Sequence, residues 1–192
     1  MFVIICGLLL YIKKRDNHEA YLISKKVEST LELKRTMAMG LSYRFNFPTE
    51  KDEDGETVFK KATELFLKED YFDFEEFVAE VVSKKLGGMT YTTVKSGDFG
   101  VDFRHEREDG LYLGQVKVRE SDLGFEPIAL IHSNMEKEGA KGGYVITTAD
   151  FTPSARTYAK GLNIKLINGI ELVTFWLDSM DSKVYEFNEK IV

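Results

Sequence analysis

Hydrophobic and polar positions change period several times along this chain. MFVIICGLLLYI opens it as an apolar run, closed at once by Lys13, Lys14 and Arg15. From Asp16 to about Met39 the pattern is charged and mixed. Tyr21, Ile23, Val27, Leu31 and Leu33 form only a weak helical stripe, which predicts a solvated connecting helix. PTEKDEDGET, at 48–57, has the composition of a loop or linker. In FEEFVAEVVSKKLGG, Phe74, Phe77, Val78, Val81 and Val82 recur at the spacing of an amphipathic helix. Asp73 and Glu76 predict its capped start, and Gly87 with Gly88 its stop. TYTTV, VDFRHER and LYLGQVKVRE read as three strands. SGDFG at 96–100 is a turn between the first two, and EDG at 108–110 makes a hairpin of the second and third.

PIALIHSNMEKEGA and TPSARTYAKG read as helices, the latter with Thr152 as N-cap, Pro153 in its first turn and Gly161 as its stop. GYVITTA and NIKLI are strands, and Asn168 with Gly169 turns the chain into a last helix, ELVTFWLDSM. The order αβββαβαβα predicts an α/β domain whose mixed sheet is flanked by helices. The chain divides into an apolar run (1–15), a helical and linker region (16–70), the α/β domain (71–178) and a C-terminal tail (179–192). The first two form an N-terminal helical appendage.

Composition narrows this picture in a few places. One cysteine, Cys6, excludes an intramolecular disulfide. The three histidines, His18, His105 and His132, give no zinc-binding spacing. A net charge of -6 argues against coating nucleic acid through bulk charge, but leaves room for a local basic groove or a metal held by carboxylates. The opening run is shorter than the roughly 20 residues of a membrane span. It also lacks the basic start and small-residue cleavage site of a signal peptide. Two readings stand: a short helix packed on the domain or on another chain, or a membrane anchor at residues 1–12 with Lys13, Lys14 and Arg15 on the cytoplasmic side. Both leave the globular part in the cytoplasm.

Polar side chains stand where strands are expected to be apolar. Alternation in LYLGQVKVRE puts Val116 and Val118 on one face, and Gln115 and Lys117 on the other. Asp102 lies inside the apolar VDF of the hairpin partner, so a carboxylate converges on the amide and ammonium groups. Helical geometry sets Glu75 beside Val82 and Leu86 at the margin of the buried stripe, and Glu76 and Glu80 on the solvent side. Carboxylates and an amide oxygen are hard ligands suited to Mg²⁺. A lysine beside them can orient or deprotonate a water and offset charge on a phosphate. This is equipment for hydrolysing a phosphodiester.

The same residues carry a resemblance. Asp102, a hairpin, and then Gln115-Val116-Lys117 resemble the D…(D/E/Q)xK core of the PD-(D/E)xK nuclease superfamily. FEEFVAEVV, SGDFGVD, QVK, GYVITTADFTPSA and IKLINGIEL, in that order over roughly residues 72–176, resemble the catalytic domain of Mrr-type restriction endonucleases. The resemblance implies a restriction-endonuclease-like fold and metal-dependent DNA cleavage in a type IV-like defence role. It implies that Asp102 is the principal metal ligand and Lys117 the catalytic lysine. Gln115 would stand in for the usual carboxylate, and the Val116 carbonyl would complete the metal's protein contacts. Glu75 matches the acidic residue of the first helix, and Asp98 the first acidic residue of the turn. Mg²⁺ or Mn²⁺ is the implied cofactor, with no nucleotide cofactor. DNA is the implied partner, and a homodimer is expected for a cut through both strands. Lys84, Lys85, Lys95, Lys141 and Arg156 are candidates for backbone phosphate contact.

Plainer roles compete for several of these residues. Gln115 and Lys117 could line a solvated sheet face. Asp98 could serve only to shape its turn, with Gly97 and Gly100 at left-handed positions. Thr147 and Thr148 end a buried strand, Thr152 caps a helix, His132 packs within one, and His105 points to the face opposite Asp102. Phe175 and Trp176 read as core. The competing function is a non-cleaving nuclease fold, kept for DNA binding or for assembly at a membrane. No segment before residue 70 has the pattern of a recognition module, which favours that alternative. The Glu75, Asp102, Gln115 and Lys117 set opposes it.

Overall fold

The structure is a computed structural model that describes residues 2–45, 49–51, 57–59, 71–93 and 99–189. Its elements follow the chain as α1 (Phe2–Glu28), α2 (Leu31–Phe45), β1 (Thr49–Lys51), β2 (Thr57–Phe59), α3 (Tyr71–Leu86), β3 (Met89–Thr92), β4 (Phe103–Arg107), β5 (Gly110–Lys117), α4 (Glu126–Glu138), β6 (Gly142–Thr147), α5 (Pro153–Tyr158), β7 (Ile164–Ile167) and α6 (Gly169–Glu189). The five-stranded sheet has the order β3-β4-β5-β6-β7. Hairpin connections make its first three strands antiparallel, and crossovers through α4 and α5 make β5, β6 and β7 parallel. The mixed α/β sheet expected from the sequence is therefore present.

Side-chain alternation sorts the core into two layers. Phe103, Val116, Tyr144 and Ile146 point to the face covered by α3 and α6, where they meet Phe74, Val78, Val82 and Leu172. Leu113 and Val145 point to the face covered by α4 and α5, where they meet Ile128, Ile131, Met135 and Ala155. Local chemistry sets the helix starts. Ala155 N–H donates to Thr152 Oγ1 at 3.1 Å, with Pro153 in the first turn. Asn168 and Glu171 form a reciprocal pair at the start of α6, the Glu171 N–H donating to Asn168 Oδ1 at 3.0 Å and the Asn168 N–H to Glu171 Oε2 at 2.9 Å.

Four expectations change. The stretch read as one solvated helix is two, α1 and α2, and α2 is part of the fold. Ala38, Leu41, Ser42 and Phe45 are buried, and the Phe45 ring lies 4.9 Å from that of Phe74 and 5.6 Å from that of Phe77. A weak stripe sufficed because the apolar residues that count come in its last two turns. The 48–57 linker includes short strands, with β1 pairing β2 antiparallel. α3 starts at Tyr71, so Asp73 lies in its first turn instead of capping it. The last helix runs on to Glu189 through the segment expected to be a tail. Among the described residues no helix is long and apolar enough to cross a membrane. α1 runs unbroken through the boundary drawn at residue 15, and Ile5, Leu8, Leu9, Leu10, Tyr11 and Ile12 on it are all exposed.

At the hairpin end of the sheet a polar knot is buried. His105 is fully enclosed, with its Nε2 at 2.6 Å from the Gly87 carbonyl and its Nδ1 at 3.2 Å from Tyr144 Oη. A carbonyl only accepts, so Nε2 carries the proton and Nδ1 accepts from the tyrosine. Burial holds the imidazole below its usual value, against the opposing hydrogen bond to Gly87, and the Arg107 charge adds to the lowering.

Two measurements follow from this packing. A Cβ at Gly114 would sit 2.1 Å from the Phe103 ring, so Gly114→Ala overpacks the β4–β5 pair. It should cost about 1–3 kcal/mol, read as a lower urea midpoint with an unchanged slope. The neutral His105 is fully stabilising above the unfolded-state pKa of about 6.5. That contribution is lost as pH falls from there toward the lowered folded-state value. The melting temperature should therefore drop between pH 7.5 and 5, and His105→Gln should flatten the profile. Equal slopes in the two proteins would remove the imidazole as the source.

Candidate active site

β4 and β5 create the site at the end of the sheet away from their hairpin. Phe103 pairs with Gly114, and one step further along the same register Asp102 is level with Gln115. Two backbone bonds lock this step: the Asp102 N–H donates to the Gly114 carbonyl at 2.8 Å, and the Thr93 N–H donates to the Asp102 carbonyl at 3.0 Å. Asp102 is 3% exposed, and its Oδ2 accepts the Val116 N–H at 2.6 Å. Lys117 Nζ stands 3.9 Å from the same oxygen. Gln115 is 3% exposed, and among the described residues its buried Oε1 has no hydrogen-bond partner. Leaving a buried acceptor unsatisfied costs about 1–3 kcal/mol. A cation next to Asp102 would satisfy it.

The structure thus brings Asp102, Gln115, Val116 and Lys117 together. Glu75 is buried in the N-terminal half of α3, on the helix that covers the opposite sheet face. α3 runs toward the hairpin end, where Gly87 meets His105, so Glu75 lies toward the Asp102 end. Glu76 and Glu80 face solvent, as the helical spacing predicts. Asp98 and Lys95 lie outside the described residues. Among the described residues no three His, Cys, Asp or Glu side chains gather in metal-holding geometry.

The cations proposed for phosphate contact divide by position. Lys84 and Lys85 end α3 near the hairpin end of the sheet, ion-paired with Glu80 and, at 2.6 Å, with Asp178. Lys141 precedes β6 and pairs with Asp109 of the hairpin at 3.4 Å. It is six residues before Thr147, which is level with Lys117, and so about 20 Å away along the strand. Arg156 is on α5 at the site's end of the sheet, paired with Asp150. The Asp150 carboxyl is partly buried, which opposes ionisation. The Asn168 amide, the Phe151 N–H and the Arg156 guanidinium outweigh this and hold it below the usual carboxylate range.

Thr148 and Trp176 have structural partners. Thr148 Oγ1 accepts the Arg119 N–H and donates to the Arg119 carbonyl, both at 2.9 Å, tying the end of β5 to that of β6. Trp176 meets Phe77 edge-on at 5.4 Å in the core. One residue outside the predicted set belongs near the site. Asn134 is buried on α4, and its Nδ2 donates to the Phe99 carbonyl at 3.0 Å and the Leu130 carbonyl at 2.9 Å. An amide on the apolar stripe of Ile128, Ile131 and Met135 was the available signal.

Comparison with solved structures gives partial matches. MspJI restriction endonuclease in complex with a 27-mer oligonucleotide aligns at 20% identity and TM-score 0.45, over 60% of this chain and 31% of that one. A protein of unknown function, AF1548, aligns at 22% identity and TM-score 0.45, over 53% of this chain and 64% of that one. The DNA modification-dependent restriction endonuclease AspBHI aligns at 14% identity and TM-score 0.45, over 62% of this chain and 36% of that one. The chain thus spans about a third of MspJI and AspBHI and under two thirds of AF1548. No curated protein matches. Residues 66–176, more than half of the chain, match the restriction endonuclease family Mrr_cat; the chain belongs to that family.

Proposed function

We propose that this protein is a divalent-metal-dependent DNA endonuclease of a type IV-like defence system, working through Asp102, Gln115 and Lys117. The buried Gln115 Oε1, without a partner among the described residues and on the strand beside the buried Asp102 carboxylate, is the observation that carries this reading. Asp102, Gln115 Oε1 and the Val116 carbonyl would hold Mg²⁺ or Mn²⁺, with Glu75 contributing from α3. The bound ion supplies Lewis-acid stabilisation of charge developing on the phosphate. Asp102 is oriented for this by the Val116 N–H, which holds its Oδ2. Lys117 Nζ, 3.9 Å from Asp102, is placed to orient the attacking water and offset the phosphate charge. Solvent protonates the leaving 3′ oxygen. Cutting both strands takes two such sites, which a homodimer would provide.

A second reading concerns where the protein acts. Five consecutive exposed apolar residues, Leu8 to Ile12, go fully around α1, and the basic cluster Lys13-Lys14-Arg15 follows. A helix apolar on all sides suits a surrounding medium better than a one-sided groove. This favours attachment to the cytoplasmic face of an anionic membrane. A non-cleaving, membrane-assembled module would share that surface, and DNA cleavage separates the two.

Plasmid cleavage with Mg²⁺ should fall by at least about a hundredfold in Lys117→Ala; equal rates in variant and wild type would remove the lysine from the chemistry. Mg²⁺ or Mn²⁺ at a hundred times its Kd should stabilise the wild type by about 2.7 kcal/mol. Asp102→Asn and Gln115→Leu should lose that shift. Wild-type protein should float with vesicles containing anionic phosphatidylserine, and Leu9→Glu/Ile12→Glu should not. Flotation of both to the same extent would count against the membrane reading.

A further inference from the structure

Phe99 lies three residues before Asp102 and is the one non-glycine with a positive φ among the described residues, at 49°. That region is unfavourable for a bulky side chain and would be relaxed for glycine. The ring gains little from burial, since Phe99 is 68% exposed. Strain of this kind persists where its surroundings enforce it, and here they do. The Phe99 carbonyl is pinned by Asn134 Nδ2, whose other contact is the Leu130 carbonyl. Gly100 follows at φ 83°, and a Cβ there would meet Leu130 Cδ2 at 2.2 Å and Gln115 Nε2 at 2.9 Å. The backbone next to Phe99 is therefore pressed against the proposed ligand amide. On the outer side, Lys137 Nζ stands 4.7 Å from the ring centroid. Leu130, Asn134 and Lys137 are spaced four and three residues apart, so one face of α4 presents this aromatic group.

We propose that Phe99 is a DNA-contact residue, its ring stacking on a nucleobase beside the scissile phosphodiester while Lys137 lies close to the neighbouring backbone. An exposed aromatic face with a cation beside it suits sequence-tolerant stacking on a base left unstacked at the cut. It would supply a foothold on DNA that the acidic bulk of the chain does not. This inference rests on the endonuclease reading and deepens it.

The test uses the full chain carrying Lys117→Ala, with Mg²⁺ and a fluorescein-labelled duplex that stays uncut. Adding Phe99→Gly should weaken DNA binding about tenfold while leaving the melting temperature unchanged or higher, because the strain is relieved. Phe99→Trp should keep the affinity, and its emission should be quenched by DNA beyond any change from Trp176. A purely structural Phe99 would give a lower melting temperature in Phe99→Gly with unaltered affinity. That result, or an unquenched Phe99→Trp, overturns the inference alone if the wild type cuts DNA. A wild type that neither binds nor cuts DNA overturns this inference and the endonuclease reading together.

Discussion

The Val116 N–H bonded to Asp102 Oδ2 at 2.6 Å joins the end of β4 to the end of β5, and the arrangement of the site depends on it. It fixes the carboxylate above the strand that carries Gln115 and Lys117. It can form only in one register, because a slip of one residue would turn every β5 side chain to the other face. The Phe103–Gly114 pair guards that register. The aromatic ring covers the position where any residue but glycine would project a side chain, so bulk on one strand and its absence on the other must stay aligned. Hydrophobic packing under α3 thus sets the polar geometry on the face under α4.

The sheet is polarised from end to end. At the hairpin end, His105, Tyr144 and the Gly87 carbonyl satisfy one another, and Lys84, Lys85 and Lys141 are ion-paired with nearby acids. Exposed pairs of this kind contribute little to stability, about 0–1 kcal/mol each, but they lower the net positive charge of that end. At the other end, a buried carboxylate, a buried amide and a lysine converge with one acceptor unsatisfied. Polar groups that complete each other build structure. The group left incomplete at the Asp102 end is the one that needs a ligand.

Much of this was legible in the chain because strand alternation is strict. Gln115 and Lys117 on one face, and Asp102 in the hairpin partner, follow from a period of two and one short turn. The helix cap at Thr152 and the turn at Asn168 into the last helix are equally readable, since each rests on contacts within four residues. What stayed hidden was long-range. α2 looked solvated because its propensity and stripe are weak, yet Phe45 finds Phe74 and Phe77 from across a stretch of sequence. Lys84, Lys85 and Lys141 were plausible phosphate contacts by composition, and only the direction of α3 and β6 shows which end of the sheet they occupy. Asn134 is an amide on an apolar stripe, whose role shows only once its partner, the Phe99 carbonyl, is in place.

Gln115 in place of a carboxylate has an electrostatic consequence on the proposed reading. Two carboxylates at this depth would repel each other, and each would need a cation to remain ionised. The amide keeps an oxygen ligand of similar shape without the second charge. Asp102 is then balanced by Lys117 at 3.9 Å even before an ion arrives. Such a site tolerates being empty better than a dicarboxylate one, and it should hold a divalent ion less tightly because it opposes +2 with fewer negative charges. Added phosphate charge from DNA would then matter more to ion retention, so that metal and DNA each strengthen the binding of the other. The Gln115 oxygen, without a partner among the described residues, fits this arrangement, since a cation would remove its cost in the free protein.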